Sequence, residues 1–231
     1  MEGHTLSGQG HPYFPTNAVI ANYTPNSTPI PVILVAFGAI IGAFVLGCTA
    51  LARWHNPTLK HGEQLTIGWF ALCYYVLHHA TLPASQSLFA QLWKEYALSD
   101  SRYLTSDPFM LCIETLTAIT WGPLSLLTAL LIATSTATST PRRHATRHLL
   151  QAVVCVGHLY GVALYYGTCG FAARMAGAVH SRPEPLYYWG YYAGMNAPWA
   201  VVPGVLLWRS ARAVRAAFEV AAAVETGRKA R

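Results

Sequence analysis

The chain has 231 residues, of which only 10% are Asp, Glu, Lys or Arg, while 53% are apolar and 12% aromatic. An average soluble domain carries about 25% charged residues. The composition therefore excludes an ordinary soluble domain, and lipid is the solvent for much of the chain. The net charge of +6 would suit a nucleic-acid binder, but the placement of the basic residues fits membrane topology instead.

Residues 1–29 lack the basic start and apolar core of a cleavable signal and contain Pro12, Pro15, Pro25 and Pro29. They read as an extended, proline-punctuated arm. Two sequons, Asn22-Tyr23-Thr24 and Asn26-Ser27-Thr28, fall in it. A bilayer-crossing helix needs roughly 20 mostly apolar residues. Such runs are predicted at 31–52, 65–82, 109–133, 149–173 and 186–208, the second interrupted by His78-His79 and closed by Pro83. The fold class expected is all-α: an integral membrane protein built as a five-transmembrane-helix bundle over 30–208. A basic interfacial helix is predicted over 209–231.

Sidedness follows from Lys and Arg. Eleven of them (Arg53, Lys60, Arg142, Arg143, Arg147, Arg209, Arg212, Arg215, Arg228, Lys229 and Arg231) fall on one side, and four (Lys94, Arg102, Arg174 and Arg182) on the other. The positive-inside rule puts the C-terminal tail in the cytosol and the arm on the opposite face. The five cysteines show no CxxC spacing, so no zinc site or disulfide framework is indicated. No phosphate loop, nucleophile elbow or dinucleotide fingerprint is present, and neither a cofactor nor a metal is expected.

An ionisable group stranded in hydrocarbon is costly and is a functional candidate by default. Of the nine acids, Glu114 alone lies inside a predicted span. The neutral acid is the form that lipid tolerates, and it can give up a proton. Thr117, one helical turn on, can orient it. A helix–helix hydrogen bond that only holds the bundle together is the alternative. His78 and His79 point about 100° apart on a helix, so one can face a cavity as proton shuttle while the other packs. His158 in the fourth span resembles them. Asn196 and Trp199 stand one turn apart, with Tyr192 a turn earlier. Asn can bond a carboxyl or hydroxyl, and the Trp π-face can stabilise a carbocation. An interfacial aromatic belt accounts for several members of the Tyr187–Tyr192 run. Together these groups suit protonation of an alkene or epoxide in a lipid-soluble molecule, followed by proton loss elsewhere.

At these residues the chain resembles the emopamil-binding protein family, the sterol Δ8–Δ7 isomerases of the wider EXPERA superfamily. The matching strings are His11-Pro12-Tyr13-Phe14-Pro15, Trp69-Phe70-Ala71, Gln91-Leu92-Trp93-Lys94-Glu95-Tyr96 and Asp100-Ser101-Arg102-Tyr103. Glu114-Thr115, Trp121-Gly122-Pro123-Leu124-Ser125-Leu126, Tyr160-Gly161, Met195-Asn196-Ala197 with Trp199, and Pro203-Gly204 complete the set. The resemblance implies an endoplasmic-reticulum protein of five helices, usually dimeric and hence a homodimer, with an intramembrane cavity open to membrane lipid. It also implies protonation of a sterol double bond, a carbocation, and removal of a proton. Glu114 matches an essential family acid, Thr117 its neighbouring hydroxyl, and Asn196 and Trp199 the fifth-span pair.

The departures bear on substrate. The family carries His and, four residues later, Glu in the second span, where this chain has Leu77 and Thr81. His78 stands one residue late. Val162 and Cys169 replace two further acids. The candidate set is therefore Glu114, His78 and Asn196 as catalytic groups, with Thr117, Trp199, Tyr192, Trp121, His79 and Thr81 lining the substrate site. The expected activity is isomerase or terpenoid (meroterpenoid) cyclase chemistry on a lipophilic sterol or terpenoid. A non-catalytic lipid-binding protein is the alternative.

Overall fold

A computed structural model describes residues 10–73, 81–136 and 138–229. The described residues form helices and connecting turns, with no strand among them. In chain order the helices are α1 (Ile30–His55), α2 (His61–Leu72), α3 (Leu88–Tyr96), α4 (Pro108–Leu116), α5 (Gly122–Ala133), α6 (Pro141–Ala176) and α7 (Met195–Lys229). Local chemistry sets their ends. Ser87 accepts from the Ala90 amide to cap α3, and Asp107 accepts from Met110 ahead of Pro108 at the start of α4. Thr140 caps α6 before Pro141, and Gly177, at φ +64°, supplies the left-handed residue that stops it.

Among the described residues, three stretches are helical, long and apolar enough to cross a membrane: Ile30–His55, Pro108–Ala133 and Pro141–Ala176. α1 is the clearest. Its mean hydropathy reaches 2.6 while only 6% of that window is buried within the protein, so its apolar side chains face a medium that is not water. The chain is a membrane protein. Of the predicted second span, 65–82, the described part is helical as far as Leu72, and residues 74–80 lie outside the described residues.

Cα packing divides the chain into two compact units. The first comprises described residues 10–42, 81–116 and 163–197. Its core is aromatic, built on Tyr13, Tyr96, Tyr103, Tyr165 and Tyr192 with Met110 and Leu104. The expected extended arm is instead folded onto α3. Tyr13, 2% exposed, donates its hydroxyl to the Lys94 carbonyl, and Lys94 Nζ donates to Thr24 O at 2.8 Å. Asn26 Nδ2 donates to Gln91 O, and Gln91 Oε1 accepts from the Thr28 amide. Two of the four basic residues assigned to that face, Lys94 and Arg102, are accordingly buried rather than solvated.

The second unit comprises described residues 43–73, 117–136, 138–162 and 198–229. Its core contains Phe70, Ile132, Val154, Cys155 and Leu206. Polar side chains here turn inward to the backbone, as lipid demands. Thr66 and Thr128 hydroxyls return to the carbonyls of Gly62 and Leu124, and Gln151 bonds Leu206 O and Ser210. Two helix boundaries depart from expectation. α6 starts at Pro141, ahead of the predicted 149–173 run, so Arg142, Arg143 and Arg147 lie within the helix. α7 runs unbroken to Lys229, so the helix predicted for the tail is continuous with the preceding residues from Met195.

Candidate active site

Both chain segments that carry the candidate side chains leave regular α-winding beside them. Glu114 lies half-buried in the last turn of α4, and the winding then widens to π over Thr117–Trp121 before α5 begins. π-turns close i→i+5 bonds, are rare, and concentrate at functional sites. The extra residue in the turn rotates the downstream residues by about 100° relative to uninterrupted winding. Thr117 and Trp121, both half-buried, open and close that π-turn. The second π-stretch, Leu186–Gly194, leads directly into α7 and Asn196. Gly194 permits it: a Cβ there would stand 3.0 Å from the Trp189 carbonyl oxygen.

In the first unit, Asn196 is held by both of its amide hydrogens. Nδ2 donates to Tyr96 Oη at 2.6 Å and to the Tyr192 carbonyl at 2.7 Å. Tyr166 Oη donates to the carbonyls of Tyr192 and Ala193 as well, so side chains serve backbone acceptors of the π-stretch. The Tyr192 ring is 6% exposed and packs on Tyr165, Tyr166 and Tyr188 at 5.2, 5.2 and 5.5 Å between centroids. It lines a cavity of 210 Å³ with Tyr166, Cys169, Tyr188 and His180. Ligand pockets for drug-sized molecules occupy about 300–1,000 Å³, so this cavity is smaller than a sterol needs. Burial holds the His180 imidazole, in the loop after α6, below its ordinary range.

In the second unit, Trp199 packs against Trp69 at 5.2 Å, and the Trp69 ring meets His158 edge-on at 6.4 Å. Trp121 rests on Gly157. Among the described residues, the buried Trp69 Nε1, Ser125 Oγ and His158 Nδ1 have no hydrogen-bond partner. Buried polar atoms are rarely left so. Thr81 is exposed in a short turn ahead of Pro83. His78 and His79 lie outside the described residues.

The structure thus joins Asn196 to Tyr192 in one unit and, in the other, packs Trp199 on Trp69, whose ring also meets His158. Tyr96 and Trp69 were visible in the sequence as members of matching strings, yet nothing in their spacing assigned them a role. Beside Tyr96, Arg102 forms a fork on Asp100, with Nη2 to Oδ2 at 2.6 Å and Nε to Oδ1 at 2.9 Å. Arg102 Nη1 also donates to Thr168, and its guanidinium lies over the Tyr165 ring.

Residues 88–210 match the family described as EXPERA (EXPanded EBP superfamily). The chain belongs to the EXPERA family. The 3-beta-hydroxysteroid-Delta(8),Delta(7)-isomerase of Mus musculus is 35% identical over 207 residues, 85% of each chain. The enzyme of the same name from Cavia porcellus is 33% identical over 221 residues, 90% of each chain. The isomeliandiol synthase of Melia azedarach is 33% identical over 132 residues, covering 57% of this chain and 56% of its own. The EXPERA match contains Glu114, Thr117, Trp121, Tyr192, Asn196 and Trp199 and begins after Thr81.

Proposed function

We propose that this EXPERA protein is a membrane-embedded isomerase or cyclase that performs acid–base carbocation chemistry on a sterol or terpenoid. The observation that carries the reading is 35% identity to a Δ8,Δ7-isomerase across 85% of the chain, with Glu114, Asn196 and Trp199 all inside the EXPERA match. Glu114 gives its proton to one carbon of an alkene, or to an epoxide oxygen, and positive charge develops on the adjacent carbon. Trp199 and Trp121 present π-faces to that charge, Asn196 and Thr117 orient the acid or a substrate hydroxyl, and Tyr192 and His79 complete the wall. Loss of a proton from a neighbouring carbon restores neutrality, and in the isomerase case the net change is a moved double bond. On this reading His78 receives that proton, since by the family resemblance Thr81 takes the place of an acid.

The same reading includes five spans enclosing an intramembrane cavity, residence in the endoplasmic reticulum membrane, a cytosolic C-terminus and a homodimer. Following the resemblance, the presence of Thr81 in place of a family acid favours a substrate other than the housekeeping sterol, since one general acid–base group contributes about 10²–10⁴-fold in rate. It also gives the second reading its support: a lipid-binding protein without turnover needs no second acid.

The test is complementation of yeast lacking sterol Δ8–Δ7 isomerase, with sterols read by mass spectrometry and Glu114→Gln as control. Δ7 sterols that depend on Glu114 support the isomerase. Accumulated Δ8 sterols despite well-expressed protein point to a cyclase, to be sought with terpenoid epoxides and polyenes. Sterol or terpenoid binding that survives Glu114→Gln, with no product from any of these substrates, would establish the non-catalytic reading.

A further inference from the structure

The hydrogen bonds of Asn196 determine which end of its amide a ligand meets. A backbone carbonyl can only accept, so the atom 2.7 Å from Tyr192 O must be the amide nitrogen. The second hydrogen on that nitrogen goes to Tyr96 Oη at 2.6 Å. The amide therefore has no N–H left to offer, and Oδ1, which takes no hydrogen bond among the described residues, is the end that remains. Tyr96 is itself held rigidly. It is 8% exposed, stacks on Trp93 at 5.5 Å and 30°, and meets the edge of Tyr103 at 5.5 Å. Its hydroxyl also approaches Tyr165 Oη at 3.5 Å.

We infer that Tyr96 is a positioning residue that fixes Asn196 as a hydrogen-bond acceptor toward the bound ligand. This rests on the reading of Asn196 as part of the substrate site. An amide oxygen turned toward a developing cation stabilises it through the negative end of the C=O dipole, whereas an N–H turned the same way would oppose it. The site is then specific for groups that donate: a substrate hydroxyl, a protonated carboxyl, or an ammonium N–H. Replacing Tyr96 by Phe removes only the hydroxyl. The Tyr192 carbonyl then holds the amide alone, and the side chain can turn its N–H outward.

The experiment compares two lipophilic cations of equal chain length, protonated N,N-dimethyltetradecylamine and tetradecyltrimethylammonium, bound to the full chain in nanodiscs at neutral pH. The first has an N–H to give and the second has none. Wild type is expected to prefer the dimethyl cation by about tenfold or more, the range for a hydrogen bond to a charged group. Tyr96→Phe is expected to lower that ratio severalfold while leaving trimethylammonium affinity near wild type, and Asn196→Leu to abolish the preference. With a turned-over substrate, Tyr96→Phe is expected to lower kcat by on the order of tenfold or more with little change in KM.

A merely structural role for Tyr96 would weaken both cations equally, and that result overturns the inference. So do an unchanged ratio in Tyr96→Phe, and a wild type that binds neither cation or shows no preference. If wild type turns over no substrate while the cation preference behaves as expected, the proposed enzymatic function fails and the acceptor role of Asn196 stands.

Discussion

Gly157→Ala puts the packing beneath Trp121 to a direct test. Gly157 is buried in the middle of α6, and an added Cβ would lie 2.7 Å from Cε2, Cζ2 and Cη2 of the Trp121 ring. Carbon atoms rest at about 3.5–4.0 Å, so the indole must retreat by roughly 0.8–1.3 Å. Three ring atoms of a rigid bicycle are hit at once, and no rotation of a flexible end relieves them. Forcing an extra carbon into a packed site costs about 1–3 kcal/mol. Helix propensity acts in the opposite direction, since Ala in place of an interior Gly gains about 0.8–1.0 kcal/mol. The clash outweighs it, and the net expectation is a loss of up to about 2 kcal/mol. The functional effect is the larger one if Trp121 faces the substrate, because a displacement of about 1 Å can cost on the order of 10²-fold in rate. Thermal unfolding in nanodiscs reads the first quantity and kcat/KM the second. A variant as stable as wild type or more so, with unchanged kcat/KM, would refute both the contact and the place given to Trp121.

Two further outcomes concern the first unit. Arg102→Met leaves the carboxylate of Asp100, 0% exposed, without its partner, and should cost about 3–5 kcal/mol. The double variant with Asp100→Asn should recover part of that, and a single variant within 1 kcal/mol of wild type, on the order of the surface-pair range, would show that the fork contributes nothing. Burial pushes the Glu95 carboxyl above its ordinary range, although the Tyr191 hydroxyl at 3.3 Å and the Arg182 charge pull it back. Because the raised value belongs to the folded state, wild type loses stability as pH rises from below the usual carboxylate range through the raised one. Glu95→Gln should lack that loss and be at least as stable at pH 7, near wild type at pH 4. Melting curves across that range that show the variant weaker at pH 7 and level at pH 4 would reverse the sign of the argument.

Much of this architecture was legible because lipid leaves few options. Apolar runs of bilayer length must be helices, and their ends carry ordinary punctuation: Pro31 at the start of α1, Asp107-Pro108 before α4, Thr140-Pro141 before α6 and Gly177 after it. Charge assigned Lys94 and Arg102 to a face but not their partners: Lys94 finds the Thr24 carbonyl and Arg102 finds Asp100. Arg142, Arg143 and Arg147 precede the predicted fourth span and lie in the first turns of α6, where Glu63 accepts from Arg147 at 2.7 Å. The arm hid its packing for a different reason. Its prolines forbid regular structure, and only partners distant in sequence, Lys94 for Tyr13 and Gln91 for Asn26 and Thr28, show where it goes.

The two π-stretches had no shared sequence signature: Thr117–Trp121 contains no glycine, and Leu186–Gly194 contains two. A helical span satisfies its backbone internally, which leaves few carbonyls for side chains. π-winding over Leu186–Gly194 changes this: the Tyr192 carbonyl meets Asn196 and Tyr166, and the Ala193 carbonyl meets Tyr166. The carbonyl that sets the direction of the Asn196 amide is thus a product of the backbone's own distortion, one that Gly194 tolerates because it has no Cβ to press on Trp189 O. The first π-stretch begins three residues after Glu114 and ends at Trp121. Irregular backbone within a membrane is costly unless protein groups satisfy it. In Leu186–Gly194, Tyr166 and Asn196 supply bonds to the Tyr192 and Ala193 carbonyls, which couples the candidate Asn196 to the distorted backbone.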